Sequence, residues 1–237
     1  MRVWLPDRPG ALGLVASRIG AVGGDVVGID ILERDGGLAI DEFVVGLEDS
    51  SVLDLMLSEV REVEGAAVEA VWPLVGDGQD AGMGSLELAL ALVDQQSPSK
   101  VLQCLASGCN RTTGADWTAV VRLDDGAIAA FEGAPPPGSW LSAFVFGARG
   151  SLASGSEPQD MAWSEMAISS AALVLGRQGR PFRAHERKRL DLLAGIADRQ
   201  LQVWAVGSKE WSVLSPTKGA LHSAHPAGME GIGGGSG

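Results

Sequence analysis

The feature that most constrains the fold is a repeated change of hydrophobic period within the first 73 residues. Short stretches rich in β-branched residues, typical of strands, alternate with two stretches in which apolar residues recur every three or four positions. Those two stretches predict amphipathic helices, whose apolar faces are Leu12, Val15, Ile19 and Val22, and then Leu53, Met56, Leu57, Val60 and Val63. The predicted order of elements is β-α-β-β-α-β.

Turn and capping residues mark the ends of these elements. Gly23-Gly24 ends the first helix, and Asp35-Gly36 predicts a type I′ turn in a hairpin. Ser50 or Ser51 is expected to cap the second helix. This order of elements is that of the split βαβ, ferredoxin-like sandwich, so we expect an α+β fold with residues 1–75 as its first domain.

A Gly- and Asp-rich stretch, residues 76–85, predicts a linker to a second domain at residues 86–206. In that domain Ser97-Pro98 is a favourable N-cap and first-turn proline for a helix carrying both cysteines, Cys104 and Cys109. Further elements are expected in chain order: a hairpin around residues 124–126, a buried strand at 172–175 and a long closing helix through Leu190, Leu193, Ala197 and Leu201.

The stretch between residues 133 and 159 is rich in Pro, Gly and Ser. It predicts a long irregular crossing of the kind found in lids and binding loops. Trp140, Phe144 and Phe146 within it either line a pocket or pack in the core. From residue 207 onward the periodicity is lost, so residues 207–237 are expected to form a disordered tail.

Charge and composition exclude several classes of function. The formal net charge of −12 disfavours nucleic acid as a partner, because the surface as a whole repels phosphate. No apolar run approaches the ~18 residues of a membrane span, which predicts a soluble protein without a membrane partner. Two cysteines five residues apart indicate a reducing, cytoplasmic setting, and we expect neither a metal site nor a cofactor.

The segment Asp7-Arg8-Pro9-Gly10-Ala11-Leu12, followed by a helix, Gly23-Gly24 and a hairpin, resembles an ACT domain over the whole of the first 73 residues. The resemblance implies a regulatory unit that binds an amino acid where two copies pair, and hence a homodimer. Many members carry an asparagine after the glycine that ends the first helix, where this chain has Asp25 and Val26. The expected ligand-binding residues are therefore Asp7, Arg8, Pro9, Gly10, Ala11, Leu12, Asp25 and Val26.

The chemistry of this loop allows two interpretations. Backbone amides from Gly10 to Leu12, at a helix N-terminus, could hold an α-carboxylate, with Arg8 adding charge and Asp7 accepting from an α-ammonium. Alternatively, Asp7 or Arg8 ends a strand, Pro9 starts the helix and water fills the site.

The second domain resembles a GAF domain in the segments Leu175-Gly176-Arg177, Gly179-Arg180-Pro181-Phe182, Glu186-Arg187 and Ile196-Ala197-Asp198. The resemblance implies an antiparallel sheet flanked by helices that either binds a small molecule or serves as a dimerisation module. Six basic residues lie close together here: Arg177, Arg180, Arg183, Arg187, Lys188 and Arg189. They either bind a phosphate-bearing ligand or form a solvated helix start paired with carboxylates elsewhere.

Two polar residues are expected to play no part in a site: Asp30 on the exposed side of a strand, and His185 on the surface. The chain carries no nucleophile elbow, P-loop, dinucleotide fingerprint or zincin motif, so we expect a protein that is not an enzyme. The expected function is that of a sensor that binds an amino acid at an ACT dimer interface and signals through the GAF-like domain. The alternative is a regulatory subunit or adaptor that contacts an enzyme or transcription factor through both domains.

Overall fold

The computed structural model describes residues 1–73, 81–151 and 159–207. In these residues the protein is of the α+β class, with two four-stranded antiparallel sheets and six α-helices. None of those helices combines the length and the apolar composition that a membrane span requires. The predicted linker residues 76–80 and the predicted tail from residue 208 onward lie outside the described residues.

The first unit comprises residues 1–73, and its elements follow the predicted order. They are β1 (Arg2–Pro6), α1 (Ala11–Ala21), β2 (Asp25–Asp35), β3 (Leu38–Gly46), α2 (Leu53–Arg61) and β4 (Ala67–Ala70), with a short 3₁₀ turn (Ser50–Val52) before α2. The strands lie in the order β2-β3-β1-β4.

One face of this sheet is covered by both helices. Val15 and Ile19 of α1 and Val60 of α2 are fully buried, as their periodicity predicted, and they belong to one apolar cluster with Val3 and Phe43 of the sheet. Burial of such a side chain contributes roughly 1.5–3 kcal/mol. Because strand side chains alternate between faces, the neighbours of Val3 and Phe43 in sequence point to the opposite, helix-free face.

Two local predictions for the first unit, one of a turn and one of a cap, are corrected by the structure. Gly36 (φ 57°) and Gly37 (φ 82°) occupy the centre of the β2–β3 turn, whereas Asp35 is the last residue of β2. Positive φ at both centres is what a type I′ turn requires, and glycine adopts it without the strain that Asp35 would suffer. Neither serine caps α2; Asp49 caps the 3₁₀ turn that precedes it, because its carboxylate accepts hydrogen bonds from both the amide and the hydroxyl of Ser51.

The second unit comprises residues 81–151 and 159–207. Its elements are α3 (Ala81–Val93), α4 (Pro98–Thr113), β5 (Trp117–Arg122), β6 (Ile128–Gly133), α5 (Gly138–Ser151), β7 (Met161–Met166), β8 (Ala171–Gly176) and α6 (Ala184–Gly207). The strands lie in the order β6-β5-β8-β7. Helices α3, α4 and α6 pack on one face of this sheet, and α5 packs on the other.

The ends of α4 follow from local sequence. Ser97 accepts a hydrogen bond from the Lys100 amide (3.4 Å), and Pro98 occupies the first turn, as predicted. Gly114 ends the helix in the left-handed conformation (φ 60°), which leaves the carbonyl groups of the last turn facing outward. Two of these carbonyls become acceptors in the site described below.

The predicted irregular crossing is wrong over most of its length, because residues 138–151 form α5. Leu141 and Val145, one helical turn apart, are fully buried against alanines of β5 and β8. The abundance of Gly and Ser hid this apolar face, and the prolines precede the helix rather than interrupting it. Residues 152–158 lie outside the described part of the chain.

The aromatic residues of α5 divide between core and surface. Phe144 stacks on Trp140, with 5.7 Å between ring centroids, and packs against the apolar cluster under α5. Trp140 and Phe146 are about half exposed. Core packing is therefore the interpretation that holds for Phe144.

Strand β7 was not predicted from the sequence. Its inward residues Ala162, Ser164 and Met166 are buried, whereas Glu165 between them is exposed. Alternation is present, but alanine, serine and glutamate are poor strand formers and masked it. β8 was predicted, since every one of its residues is buried and apolar or glycine.

Candidate functional site

The helix-free face of the first sheet is covered by the second unit. Arg2, Glu42 and Asp30 occupy facing positions on β1, β3 and β2, so they form one row across this face. The row meets residues 177–183 and the first turns of α6, which bind Arg2 and Asp30. The two apolar cores stay separate, so charged groups make the junction between the units.

At the centre of this junction lies the carboxylate of Glu186, on the first turn of α6. It forms ion pairs with Arg2 Nη2 (2.8 Å) and Arg177 Nη2 (2.8 Å), and it accepts the Arg183 amide (2.9 Å). Burial alone would raise the pKa of this carboxyl, but the Arg177 and Arg2 guanidinium groups outweigh it and hold the pKa below its ordinary value. Glu186 is therefore an ionised acceptor rather than a group poised for proton transfer.

Arg2 connects the first strand of the chain to the second unit. Its Nε donates to Glu42 (2.8 Å) and its Nη1 to the Pro181 carbonyl (2.6 Å), and the residue is only 1% exposed. Burial would lower the pKa of Arg2, but Glu186 and Glu42 raise it above its ordinary value. We call Arg2, Glu42, Arg177 and Glu186 the junction network.

Arg177 fixes the loop that leads into α6. Its guanidinium donates to the carbonyls of Arg180 (2.7 Å), Thr113 (2.7 Å) and Pro181 (2.9 Å) and lies 3.9 Å from the centre of the Phe182 ring. Burial lowers the pKa of Arg177 to about 10, although Glu186 opposes the shift. The hydrogen bonds of this side chain connect the loop to the end of α4.

A second set of contacts crosses the junction beside the network. Arg189 Nη2 pairs with Asp30 (2.5 Å), and His185 Nδ1 lies 3.0 Å from the Ile31 carbonyl. Arg183 pairs with Glu69 of β4. These contacts extend over β2 and β4, so the second unit contacts the sheet across its full width.

A cleft of about 1220 Å³ lies next to the junction, between the helix-free face and helices α3, α4 and α6. Arg180 projects into it from the second unit, 4.3 Å from the centre of the Trp72 ring, which belongs to the first. Arg180 Nη2 donates to the carbonyls of Thr113 (2.6 Å) and Gly114 (3.0 Å) at the end of α4. Burial and the nearby Arg2 lower the pKa of Arg180.

The predicted binding loop lies elsewhere, at the N-terminus of α1. Gly10 adopts the left-handed conformation (φ 89°), and its carbonyl accepts the Leu14 amide in the first bond of the helix (3.0 Å). Asp7 and Arg8 are exposed and face Arg34 (4.0 Å) and Glu64 (3.5 Å). The predicted site residues Pro9, Ala11 and Leu12 complete this turn, in which Ala11 is buried.

Asp25 and Val26, the other predicted site residues, lie at the opposite end of α1. The helix has 11 residues, so at ~1.5 Å per residue it separates the two parts by roughly 16 Å. Asp25 is exposed at the start of β2, and Val26 packs against the core. A single copy of the chain does not bring the two parts of the predicted site together.

One buried carboxylate lies on the loop side of the first unit. Asp41 of β3 is 2% exposed, and its Oδ1 has no hydrogen-bond partner within the described residues. Burial raises the pKa of Asp41, Arg34 opposes the shift, and Asp7 adds to it. No sequence signal identified this residue, because an acidic side chain in an alternating strand is usually exposed.

The second interpretation of the basic cluster was a solvated helix start whose arginines pair with carboxylates. The pairing is confirmed, but the solvation is not. Arg177, Arg183 and Arg189 pair with carboxylates, yet Arg177 and Arg183 are buried. His185 lies on the surface as predicted, although it contacts the Ile31 carbonyl, whereas Asp30 is partly covered by Arg189 rather than exposed. Burial against a second unit turned predicted surface residues into contacts.

Sequence reasoning also missed Arg2, Glu42 and Trp72. The available signal was the alternation Arg2-Val3-Trp4-Leu5, which places an arginine and a tryptophan on the face opposite to the core. Within residues 1–73, 81–151 and 159–207, no group of three His, Cys, Asp or Glu side chains could hold a metal ion. In comparisons with known proteins, no protein-family model and no curated protein sequence matches this chain.

Proposed function

We propose that this chain is a non-catalytic, cytoplasmic sensor in which an ACT-like first domain (residues 1–75) binds an amino acid and a GAF-like second domain (residues 86–206) receives the signal. The observation that carries the proposal is the buried junction network, since it ties the sheet of the first unit to α6 of the second. The β2-β3-β1-β4 order is that of a ferredoxin-like sandwich, which supports the ACT-like assignment.

The amino acid is assigned to an interface between two copies. In this arrangement the backbone amides of Gly10 and Leu12 in one copy bind the α-carboxylate, and Asp7 accepts from the α-ammonium. The Ala11 amide between them donates to the Arg8 carbonyl (3.3 Å). Asp25 and Val26 of the other copy close the site. The left-handed Gly10 and the roughly 16 Å that α1 places between the two parts support a site that needs a homodimer.

Signal transfer would follow from the way the junction is built. Arg2 and Glu42 lie on the two central strands of the first sheet, so a shift of these strands changes the position of the groups that hold Glu186 at the start of α6. A ligand can shift this equilibrium only by as much as its affinities for the two arrangements differ. The network supplies a mechanical and electrostatic connection for that difference.

The test is a thermal-shift screen with each of the twenty amino acids, followed by titration of any hit. A ligand at one hundred times its Kd stabilises the bound form by about 2.7 kcal/mol, which a melting curve resolves. Asp7→Asn should weaken binding at least about tenfold, since it removes the acceptor for the ammonium group. The matched control is Asp124→Asn, an exposed aspartate in the β5–β6 turn.

Failure of all twenty amino acids to raise the melting temperature would reject the amino-acid assignment. Equal affinities of the Asp7→Asn variant and the wild-type chain would reject the proposed pose. Light scattering on the same samples tests the homodimer, and a monomer at high concentration would contradict it.

A second candidate function, an adaptor or regulatory subunit that binds a protein partner, is favoured by one observation. Helix α3 exposes Met83, Leu86, Leu90 and Val93 at spacings of three, four and three residues, the pattern of a helix that pairs with another. The adaptor predicts a stoichiometric enzyme or transcription factor that co-purifies with the wild-type chain and is lost with Leu90→Lys. The sensor predicts an amino-acid-dependent rise in melting temperature instead.

A further inference from the structure

Not every arginine beside the cleft has a carboxylate partner. Arg2 pairs with Glu42 and Glu186, and Arg177 pairs with Glu186. Among the described residues, no carboxylate lies within ion-pair distance of Arg180. Its direct contacts are backbone carbonyls and the Trp72 ring, and Glu42, Glu186 and Asp116 act on its charge from farther away.

The geometry of Arg180 leaves one edge of its guanidinium free. Nη2 points to the end of α4, where it donates to the carbonyls of Thr113 and Gly114. Within the described part of the chain, Nε and Nη1 donate to nothing, and the residue lines the cleft. A guanidinium edge with two free N–H groups matches the two oxygens of a carboxylate or a phosphate.

Among the described residues that line the cleft, no carboxylate forms an ion pair with the free edge of Arg180. Asp30 is bound by Arg189, and Asp116 accepts the Gln178 amide (2.8 Å). Glu87 and Arg111, of opposite charge, are exposed at the rim.

The cleft also offers apolar surface close to the charged edge. Val27 of β2, about half exposed, lines it together with Val44 of β3, which is next to Phe43 in sequence and so faces the helix-free side of the sheet. The Trp72 ring lies against Arg180 in the same cleft. An occupant that combines an anionic group with an apolar body would cover all of these features.

We propose that the cleft between the two units binds a small organic anion, whose carboxylate or phosphate group pairs with the Nε–Nη1 edge of Arg180 while its apolar body lies against Trp72, Val27 and Val44. Trp72 comes from the first unit and Arg180 from the second, so the occupant contacts both. Its binding favours the closed junction, because separation of the units would remove part of the site. This site is distinct from the amino-acid site proposed at the α1 loop.

The test is isothermal titration of the full chain with phenyl phosphate and with phenylacetate, which share a ring and differ in the anionic group. Benzyl alcohol, which carries the ring without a charge, is the control for apolar binding. We expect saturable binding of at least one of the two anions with a Kd below about 1 mM. The arm that binds more tightly identifies the anionic group.

Arg180→Gln should weaken that binding at least about tenfold, because it removes the charge and the paired donors. Arg149→Gln is the matched control, since Arg149 pairs with Glu165 on the far side of the second sheet. If Arg180→Gln does not fold, as judged by circular dichroism, Arg180→Lys decides the matter. It keeps the charge without the paired edge, and a loss of at least about threefold is expected.

Three results would overturn the proposal: no binding of either anion, binding of benzyl alcohol as tight as that of the anions, or an unchanged affinity in the folded Arg180 variant. None of them bears on the amino-acid sensor, whose test uses different ligands and Asp7→Asn. The two proposals can therefore fail separately.

Discussion

The junction between the units and the Asp7–Leu12 loop both carry arginine–carboxylate pairs, but in different surroundings. Arg8 and Glu64 at the loop are 3.5 Å apart, with side chains 52% and 92% exposed. Arg2 and Glu186 at the junction are 2.8 Å apart, with side chains 1% and 9% exposed. Exposed pairs contribute about 0–1 kcal/mol, whereas loss of one partner from a buried pair leaves an uncompensated charge. The same chemistry thus joins the two units where it is buried, and it forms only a weak surface contact at the loop.

The largest effect should come from Glu186→Gln. The change leaves Arg2 and Arg177 without their shared carboxylate in a buried setting, so we expect a loss of about 3–5 kcal/mol in the free energy of unfolding. Urea denaturation followed by circular dichroism measures it. A loss below about 1 kcal/mol would show that the junction is more hydrated than its burial indicates.

The second largest effect is a difference in stability between alanine variants of two glycines, both of which have a left-handed conformation. Gly114→Ala and Gly10→Ala both introduce strain of about 1–2 kcal/mol. At Gly114 the new Cβ would also lie 2.5 Å from Arg180 Nη2, whereas at Gly10 it meets nothing within 4 Å. We therefore expect Gly114→Ala to destabilise the protein more than Gly10→Ala, measured by denaturant unfolding of both. Equal losses would mean that Arg180 moves aside without cost.

A smaller effect concerns the pH dependence of two buried carboxyls. Glu186 has a lowered pKa, so its contribution to stability is present above its unfolded pKa and is lost as pH falls through the folded value. Asp41 has a raised pKa, so its ionised form reduces stability as pH rises through the folded value.

Asp41→Asn should therefore raise the free energy of unfolding at pH 7 by up to about 1 kcal/mol, because it removes a buried charge whose Oδ1 has no partner. The gain should shrink as pH falls and Asp41 of the wild-type chain becomes protonated. Unfolding curves of both proteins between pH 7 and acid conditions measure it. A destabilised variant at pH 7 would show that the carboxylate has a favourable role in the fold.

The smallest effect is expected for Glu64→Gln. Its pair with Arg8 is long and exposed, so the free energy of unfolding should change by less than about 0.5 kcal/mol. The same denaturation experiment provides the comparison with Glu186→Gln. A loss approaching that of Glu186→Gln would remove the distinction between the two regions.

Much of the fold was predictable from short-range patterns. The spacing of Val15 and Ile19 predicted the buried face of α1, and Ser97-Pro98 predicted the start of α4. The failures were also local in origin. β7 lacks strand-forming residues, and the glycines and serines of α5 concealed the two positions, Leu141 and Val145, that bury its face.

The candidate site was less predictable than the fold. The basic residues from Arg177 to Arg189 were identified as a cluster, but nothing in their sequence indicates that Glu186 among them is shared with Arg2. The ligand residues expected at the α1 loop lie at two ends of one helix, and their use in binding stays a prediction.

The sequence by itself determined most of the elements, with β7 and α5 as the exceptions, because periodicity, caps and turns act between residues only a few positions apart. The tertiary structure alone decided that β1 meets α6, that Arg2 is buried by partners more than 170 residues away, and that Arg180 stacks on Trp72 beside a cleft. The physical reason is that an arginine on a strand carries the same local signal whether water or another domain covers it. Its partners become known only when the surfaces of both units have been positioned by the folded structure.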